Sequence, residues 1–447
     1  MENTGNKGEN QHYSVSLHEL DFPVFTFGDG VKNKTKLTLF QVKPYKMGKG
    51  RKIALFSIIN GGDLKPLLKL KEMFEERDNQ KLLWKMDPDI QITKVISDDD
   101  LIKDIYLYKD YLIIVLHDRN LKTEYHDQIK FLAKQNSVRV QFINITHLNE
   151  SKSFPFKGVL AQLIAKDDGI PWILDVEEKV SFYSNSMIIG ISYSSKFGRL
   201  SYGVAHFIDL LNMDEKIEII KGGLRKDSYR GLLLREEEFK NVINQAVRWY
   251  KSKVYKSDSL HIFLYETSSI RKNNARYISE LIADPSKVGL KGFAFTHIHI
   301  KSVNYGVPRM YDLSNVGYSP DYSYMQKRGT YIKVELKSDK NSFSIKGELI
   351  IGTTGFYLQS GNKPKGTKGT PVPVYALVTS NIENILDLVA DQVMKLAHLD
   401  WEFLFQEYRM PFMLKYSTKL AEFINQFCNT EEEFNSFPTL WDVRDLM

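Results

Sequence analysis

The chain has 447 residues, 43% hydrophobic and 26% charged, with 61 Lys and Arg against 55 Asp and Glu and a formal net charge of +6. That length supports two or three domains with their own cores. One cysteine, Cys428, excludes an intrachain disulfide and agrees with a reducing, cytoplasmic setting, and no apolar run reaches the roughly 18–20 residues needed to span a bilayer. The charge balance permits a polyanionic partner but not the density of a protein that coats DNA by electrostatics alone.

The opening MENTGNKGENQHYS is polar and has no signal-peptide apolar core, so a frayed tail and no secretion are expected. FPVFTFGDG and a basic stretch ending in KPYKMGKGRK then read as a β-rich lead-in over residues 1–50. IALFSII (Ile53–Ile59) reads as a buried strand, and Leu64–Phe74 carries apolar residues at helical spacing. IQITKVI, YLIIVL and VRVQFINI are further strands, with helices expected over Leu121–Lys134 and Phe156–Lys166. Such strand–helix alternation predicts a mostly parallel sheet covered on both faces, with ligands held beyond the carboxyl ends of its strands.

After IPWILDVEEK the pattern changes. MIIGISYS (Met187–Ser194) and LSYGVAHFI are strands separated by a short SKFGR turn, and IEIIK adds another. Glu236–Lys253 predicts a charged amphipathic helix, SLHIFLYET a strand and Asn273–Ala283 a helix. GFAFTHIHI, TYIKVEL and SFSIKGELII are strands, the last two joined as a hairpin by KSDKNS. Helices are expected over Ile382–His398 and Tyr416–Phe427. No fixed-period repeat is present, which argues against a solenoid.

Several segments in this order resemble one family. MIIGISYS resembles the first strand of an RNase H-like PIWI domain. Thr353–Val378 (TTGFYLQSGNKPKGTKGTPVPVYALV), QVMKLAHLDWEF and MPFMLKYSTKLAEFI resemble the end of the Argonaute/PIWI family. There a lysine- and glycine-containing loop leads to a Pro-x-Pro strand, a helix ending in a Leu-x-Trp step, and a Pro-initiated last helix. VLAQLIAKDDGIPWILDVE (Val159–Glu177) resembles the junction of MID and PIWI domains. The resemblance runs from Phe22 onward and implies an α/β chain: a Rossmann-like MID domain with a parallel sheet over 51–170, then an RNase H-like PIWI domain over 171–447. Only about fifty residues precede the first MID-like strand. The chain therefore resembles a short prokaryotic Argonaute of the archaeal type, MID–PIWI only, lacking N and PAZ domains.

The resemblance implies a pocket for the 5′ phosphate of a guide strand. A terminal phosphate needs several donors converging on one dianion. The archaeal pocket uses an aromatic residue and a lysine four apart on a helix, then a glutamine, then a lysine near the domain junction. His126 and Lys130 have that spacing, which places both on one helical face. Tyr125, the residue type usual in the family, is one position away, and which of the two rings stacks on the guide end is open. Gln141 and Lys166 match the remaining positions, and Gln162 lies one turn before Lys166. The resemblance also implies that the carboxylate of Met447, at the end of FPTLWDVRDLM, helps hold a Mg2+ ion at this phosphate. Lys415 and Lys419 are further basic residues within reach of a guide.

Active PIWI domains hold two metals with acidic residues. Here Ser192 stands at the first position and Thr267 or Ser268 at the third, while Glu266 next to it points to the other face of its strand. His398 and Asp400 are nearby for the fourth position, but AHLDWEF matches the family's structural Leu-x-Trp step instead. The glutamate finger has no match, Glu236, Glu237 and Glu238 reading as a charged helix start. Neutral hydroxyls cannot replace carboxylates that fix hard divalent cations, so no cleavage is expected. The resulting expectation is an inactive, guide-binding short Argonaute that recognises complementary invading nucleic acid and activates a separately encoded effector, with a PAZ-like analogue, in antiviral or plasmid defence. The alternatives are an active guide-directed endonuclease with unconventional metal ligands, and a guide-independent DNA-binding protein.

Overall fold

The computed structural model describes residues 17–58, 64–76, 90–95, 98–118, 123–149, 154–175, 185–196, 200–209, 214–224, 236–253, 258–267, 272–301, 327–335, 345–354, 356–359, 363–366, 373–402 and 409–447. The lead-in contributes β1 (Leu17–Glu19), β2 (Phe25–Thr26) and β3 (Lys32–Asn33). There follow β4 (Lys52–Ser57), α1 (Lys65–Glu75), β5 (Ile90–Val95), α2 (Asp98–Asp104), β6 (Tyr111–His117), α3 (Thr123–Gln135), β7 (Arg139–Asn144) and α4 (Phe154–Lys166). The strands stand in the order β5-β4-β6-β7 and every pair is parallel, as the strand–helix alternation predicts. Ile53 to Phe56 and Leu112 to Leu116 are buried on both strand faces, the pattern of a sheet covered from both sides. Leu67, Leu70 and Phe74 of α1 sit in one core cluster, and Ile129 and Ala133 of α3 in another with Phe56 and Val115.

After β8 (Ile173–Leu174) the chain builds a second, larger sheet. Its strands are β9 (Ser186–Lys196), β10 (Leu200–Asp209), β11 (Asp214–Leu224), β12 (Ser259–Glu266) and β13 (Gly292–Ile300). Then come β14 (Thr330–Glu335), β15 (Ile345–Ile351) and β18 (Val374–Ser380), with β16 (Phe356–Gln359) and β17 (Lys363–Gly366) forming a separate hairpin. Among the described residues the order is β1-β14-β15-β18-β13-β12-β9-β10-β11-β19, where β19 is Leu440–Trp441. β9, β12 and β13 are parallel neighbours at its centre, and the antiparallel β9–β10–β11 run lies to one side. This mixed α/β architecture, a parallel sheet followed by an RNase H-like sheet, is the expected fold class.

Helices cover both faces of the large sheet. α5 (Glu236–Lys251) buries Phe239, Val242, Ile243, Ala246, Val247 and Tyr250, a 3-and-4 spacing that places them on one stripe. Its first turn is acidic and its last turn holds Arg248 and Lys251, matching the helix dipole. With α6 (Lys272–Ala283) it shares a core with Ile189, Ile191, Leu264 and Phe295. The opposite face packs α7 (Ile385–His398) and α8 (Phe412–Phe427). Gly190 of MIIGISYS is where α8 comes closest: a Cβ there would collide with the side chain of Met413. The glycine lets the helix lie against β9.

The lead-in is not an independent unit. β1 extends the edge of the large sheet beside β14, β2 pairs with β3 and β8, and Lys46 bridges to Ile170. The chain ends with α9 (Glu431–Ser436), β19 against β11, and α10 (Val443–Leu446) against α3, α4 and β7. α2, β19, α9 and α10 have no counterpart in the sequence reading. Each is seven residues or shorter, below the length at which periodicity carries a signal. The SKFGR and KSDKNS turns lie partly or wholly outside the described residues, as does Ser268.

Candidate nucleic-acid interface

α3, β7, α4 and the last residues of the chain meet at one point. Lys130 of α3 and Lys166 of α4 are both buried, at 6% and 1% exposure. Lys166 Nζ donates to the main-chain oxygen of Val140 and, at 3.0 Å, to that of Met447. Lys130 Nζ donates to Leu446 O at 3.3 Å. Gln141 on β7 donates through Nε2 to Gln162 Oε1 at 2.8 Å and to Phe142 O at 2.9 Å, leaving its buried Oε1 without an acceptor role. Gln162 Nε2 donates in turn to Glu402 O at 2.9 Å. Lys130 and Lys166 thus meet the last two residues of the chain, and Gln141, which directly follows the Val140 whose oxygen Lys166 contacts, bonds Gln162.

The residues four positions after the two rings differ in environment. Ile129, four residues after Tyr125, is wholly buried in the core beneath α3. His126, four before Lys130, packs its ring on Phe142 with centroids 4.2 Å apart and meets Asp127 Oδ1 at 3.1 Å. Burial, with smaller contributions from Lys130 and Lys166, lowers the His126 pKa to about 4 against the opposing effect of Asp127. The imidazole is therefore neutral at pH 7.

Charge is unevenly distributed here. Burial first, then Lys419 and Arg139, lowers the Lys166 pKa to about 7, and burial, Lys419 and Lys166 push Lys130 down as well. Among the described residues neither lysine has an ion pair with a side-chain carboxylate; their acceptors are the peptide oxygens of Leu446 and Val140 and the chain-terminal oxygen of Met447. The nearby acid Glu402 is engaged elsewhere. Lys415 Nζ lies 2.5 Å from its Oε2 and Lys419 Nζ 3.6 Å from its Oε1. Burial alone would raise the Glu402 pKa, but Lys419, Lys415 and Lys130 outweigh it and hold it at about 2. Lys415 also pairs with Asp400 at 2.5 Å, so of the two further lysines it is the more committed to protein carboxylates.

Behind Lys166 the basic lead-in closes on the turn Asp167–Asp168. Gly50 N and Arg51 N donate to Asp167 at 2.7 and 3.1 Å, and Arg51 Nη1 donates to Lys166 O at 3.0 Å. A Cβ on Gly48 would run into the Asp167 carboxylate. Asp168, with φ 63°, turns to face Lys49, Arg51 and Arg139, and these cations bring its pKa to about 2 although burial acts the other way. No pattern of spacing announces this brace, because its members are more than a hundred residues apart.

The second region lies at the carboxyl end of β9. Ser192 is buried and its Oγ is 2.8 Å from both Ser417 Oγ and Thr418 Oγ1 of α8. β12 runs parallel beside β9 with Glu266 level with Ile191, so Thr267 follows at the level of Ser192. Glu266 faces away from it, into a buried pair with His297. The side chains meeting Ser192 come from α8, not from the end of α7. His398 Nδ1 lies 2.8 Å from Met394 O, with its ring beside Phe22, and Asp400 binds Lys415 and, at 2.8 Å, Tyr416. Glu236 pairs with Lys240 and Arg276 on the outside of α5. Among the described residues there is no group of three or more His, Cys, Asp or Glu side chains placed to hold a metal ion, and no helix long and apolar enough to cross a membrane.

No protein-family model and no curated protein matches this sequence. Solved structures do. Drosophila Piwi is similar over 92% of this chain and 54% of its own, with TM-score 0.63 and 15% identity. Clostridium butyricum Argonaute, solved with a guide DNA and a 19-mer target DNA, is similar over 92% of this chain and 53% of its own, at TM-score 0.63 and 14% identity. Aa-Ago, solved with an externally bound siRNA, is similar over 96% and 56%, at TM-score 0.62 and 15% identity. The chain spans little more than half the length of these proteins. At such identity the likeness establishes the fold, which is that of Argonaute and Piwi proteins.

Proposed function

We propose that this chain, with the fold of Argonaute and Piwi proteins over little more than half their length, binds a guide strand and does not cut its target. The reading is that of a short MID–PIWI Argonaute. It holds a 5′-phosphorylated guide, pairs it with complementary invading nucleic acid in the cytoplasm, and through that recognition activates a separate effector protein, with a PAZ-like analogue, in prokaryotic antiviral or plasmid defence. Sequence recognition then comes from base pairing while the protein reads backbone geometry. The guide and target in the Clostridium butyricum Argonaute structure and the siRNA with Aa-Ago support nucleic acid as the ligand class.

The observation that carries the pocket is the pair of buried lysines that, among the described residues, pair with no side-chain carboxylate. Lys130 meets the peptide oxygen of Leu446, and Lys166 meets that of Val140 and the chain-terminal oxygen of Met447. A buried ammonium that is poorly paired is costly. Lys130 has no carboxylate partner among the described residues and Lys166 has only the chain-terminal one of Met447, so a phosphate dianion adds counter-charge to both. In this reading Lys130 and Lys166 bind the phosphate oxygens, Gln141 and Gln162 orient around them, and the neutral His126 ring, rather than Tyr125, stacks on the guide end. Met447 offers hard oxygen beside Lys166. One such group does not make a magnesium site, but magnesium is commonly held by one carboxylate together with ligand phosphates. Mg2+ thus fits here only with the guide in place, where it would offset the repulsion between phosphate and the Met447 carboxylate.

Ser192, Thr267, Ser417 and Thr418 give the other region neutral hydroxyls, which supports binding without cleavage. Affinity for one oligonucleotide with a 5′ phosphate and with a 5′ hydroxyl tests the pocket: a preference of at least about tenfold is expected, and equal affinities overturn it. Incubation with guide, complementary target and manganese tests the second half. Intact target is expected, and a guide-dependent cut overturns the inactive reading.

A further inference from the structure

The last turn of the chain cannot hold its place by itself. α10 has four residues, far too few for an independent helix. Its two aspartates form a capping box: Asp442 Oδ1 accepts from Asp445 N and Asp445 Oδ2 accepts from Asp442 N, each at 3.1 Å. The same carboxylates face Arg139, the first residue of β7. Arg139 Nη2 lies 2.8 Å from Asp442 Oδ2, and its Nη1 pairs with Asp445. Lys134 Nζ reaches Asp445 Oδ2 at 2.6 Å, and Arg139 also faces Asp168 at 3.6 Å. One guanidinium thus joins the tail to β7 and to the turn after Lys166.

The residues that follow those aspartates are the ones that touch the buried lysines: Leu446 O meets Lys130 and Met447 O meets Lys166. We infer that Arg139 is a positioning residue which, by gripping Asp442 and Asp445, sets the Leu446 and Met447 oxygens beside Lys130 and Lys166 and so determines how strongly the pocket prefers a phosphorylated strand end. This rests on the phosphate-pocket reading above. Arg139 itself need not touch the guide, because its guanidinium is already shared among three carboxylates. Other anchors keep the tail near when Arg139 is changed. Arg444 Nε donates to Ala165 O at 2.9 Å, and Trp441 stacks on Phe437 with centroids 5.5 Å apart. The expected loss is therefore one of register and not of folding.

The test uses the full chain carrying R139Q, with R139K and D445N beside it. Two quantities are read: the ratio of affinities for 5′-phosphorylated and 5′-hydroxyl oligonucleotides of one sequence, and amide hydrogen exchange of residues 443–447. R139Q should lower the phosphate preference about tenfold and speed exchange in the tail. D445N should shift both in the same direction, and R139K should restore part of each. Faster exchange with an unchanged preference overturns the inference, as does an unchanged tail. If the unmodified protein binds both ends equally, the pocket reading itself falls and this inference falls with it, an outcome distinct from the first two.

Discussion

The group around Lys130 and Lys166 and the group around Ser192 both bury polar side chains, yet they balance their charges in opposite ways. Around Ser192 the groups are neutral and satisfy one another, with Ser417 and Thr418 each 2.8 Å away. Nothing there calls for a further charge. Around Lys166 two lysines are buried next to a third cation, Lys419, with the chain-terminal oxygen of Met447 3.0 Å from Lys166, while Glu402 is held by Lys415 and Lys419. A site closed on itself and a site short of negative charge serve different ends: the first suits packing, and the second suits an incoming anion.

Removing one of the cations breaks the contrast most directly. Lys166→Ala takes away a charge-assisted contact of about 1.5–3 kcal/mol, so affinity for a phosphorylated guide should fall by roughly ten- to a hundredfold, while a hydroxyl-ended strand is nearly unaffected. Fluorescence anisotropy with both oligonucleotides checks this. An equal loss for the two ends would mean that Lys166 contacts the strand elsewhere, and the contrast with the cleft would lose its basis.

A smaller effect follows from pH. The Lys166 pKa stands at about 7, chiefly through burial, and a bound phosphate favours the ammonium. Binding above that pH therefore takes up a proton, and affinity for the phosphorylated guide should fall by up to about tenfold per pH unit from pH 7 upward. Below about pH 6 the phosphate itself loses its second charge, so the optimum lies between. Without ligand the sign for stability is reversed. The lowered folded-state pKa costs stability at and below neutrality, and that cost is relieved as pH rises from about 7 toward the ordinary lysine value of about 10.4. Opposite slopes in binding and in thermal melting are the signature; parallel slopes would remove Lys166 from the account.

Much of this was legible in the sequence, and the rest follows a clear division. Strands such as IALFSII and YLIIVL, and the helix over Glu236–Lys251, declare themselves by local periodicity. His126 with Lys130 and Gln162 with Lys166 could be read because one helical turn spans each pair. The core position of Ile129, four residues after Tyr125, is not legible from that spacing. Arg139 with Asp442 and Asp445, and Arg51 with Asp167, join residues more than a hundred positions apart, and no local pattern encodes them. The side chains opposite Ser192 carry no local signal, since Ser417 and Thr418 are more than two hundred positions away. They come from α8, where Gly190 lets the helix approach β9.

The least disruptive change sharpens the other half of the contrast. Ser192→Ala removes one hydroxyl from a neutral trio. Ser417 Oγ keeps its bond to Leu414 O at 3.1 Å, and Thr418 lies on the exposed side of α8 and can turn to water. The expected cost is about 0.5–1.5 kcal/mol in chemical unfolding, with guide affinity unchanged. Ser192→Asp adds a carboxylate that two hydroxyls can donate to, yet it leaves Thr267 uncharged at the same level of β12. Two divalent ions need more anionic ligands than one aspartate provides, so this variant should still yield intact target with manganese. Cutting by Ser192→Asp alone would show that the cleft needs a single charge to become a nuclease, and that its hydroxyls stand in a metal site instead of a packed seam.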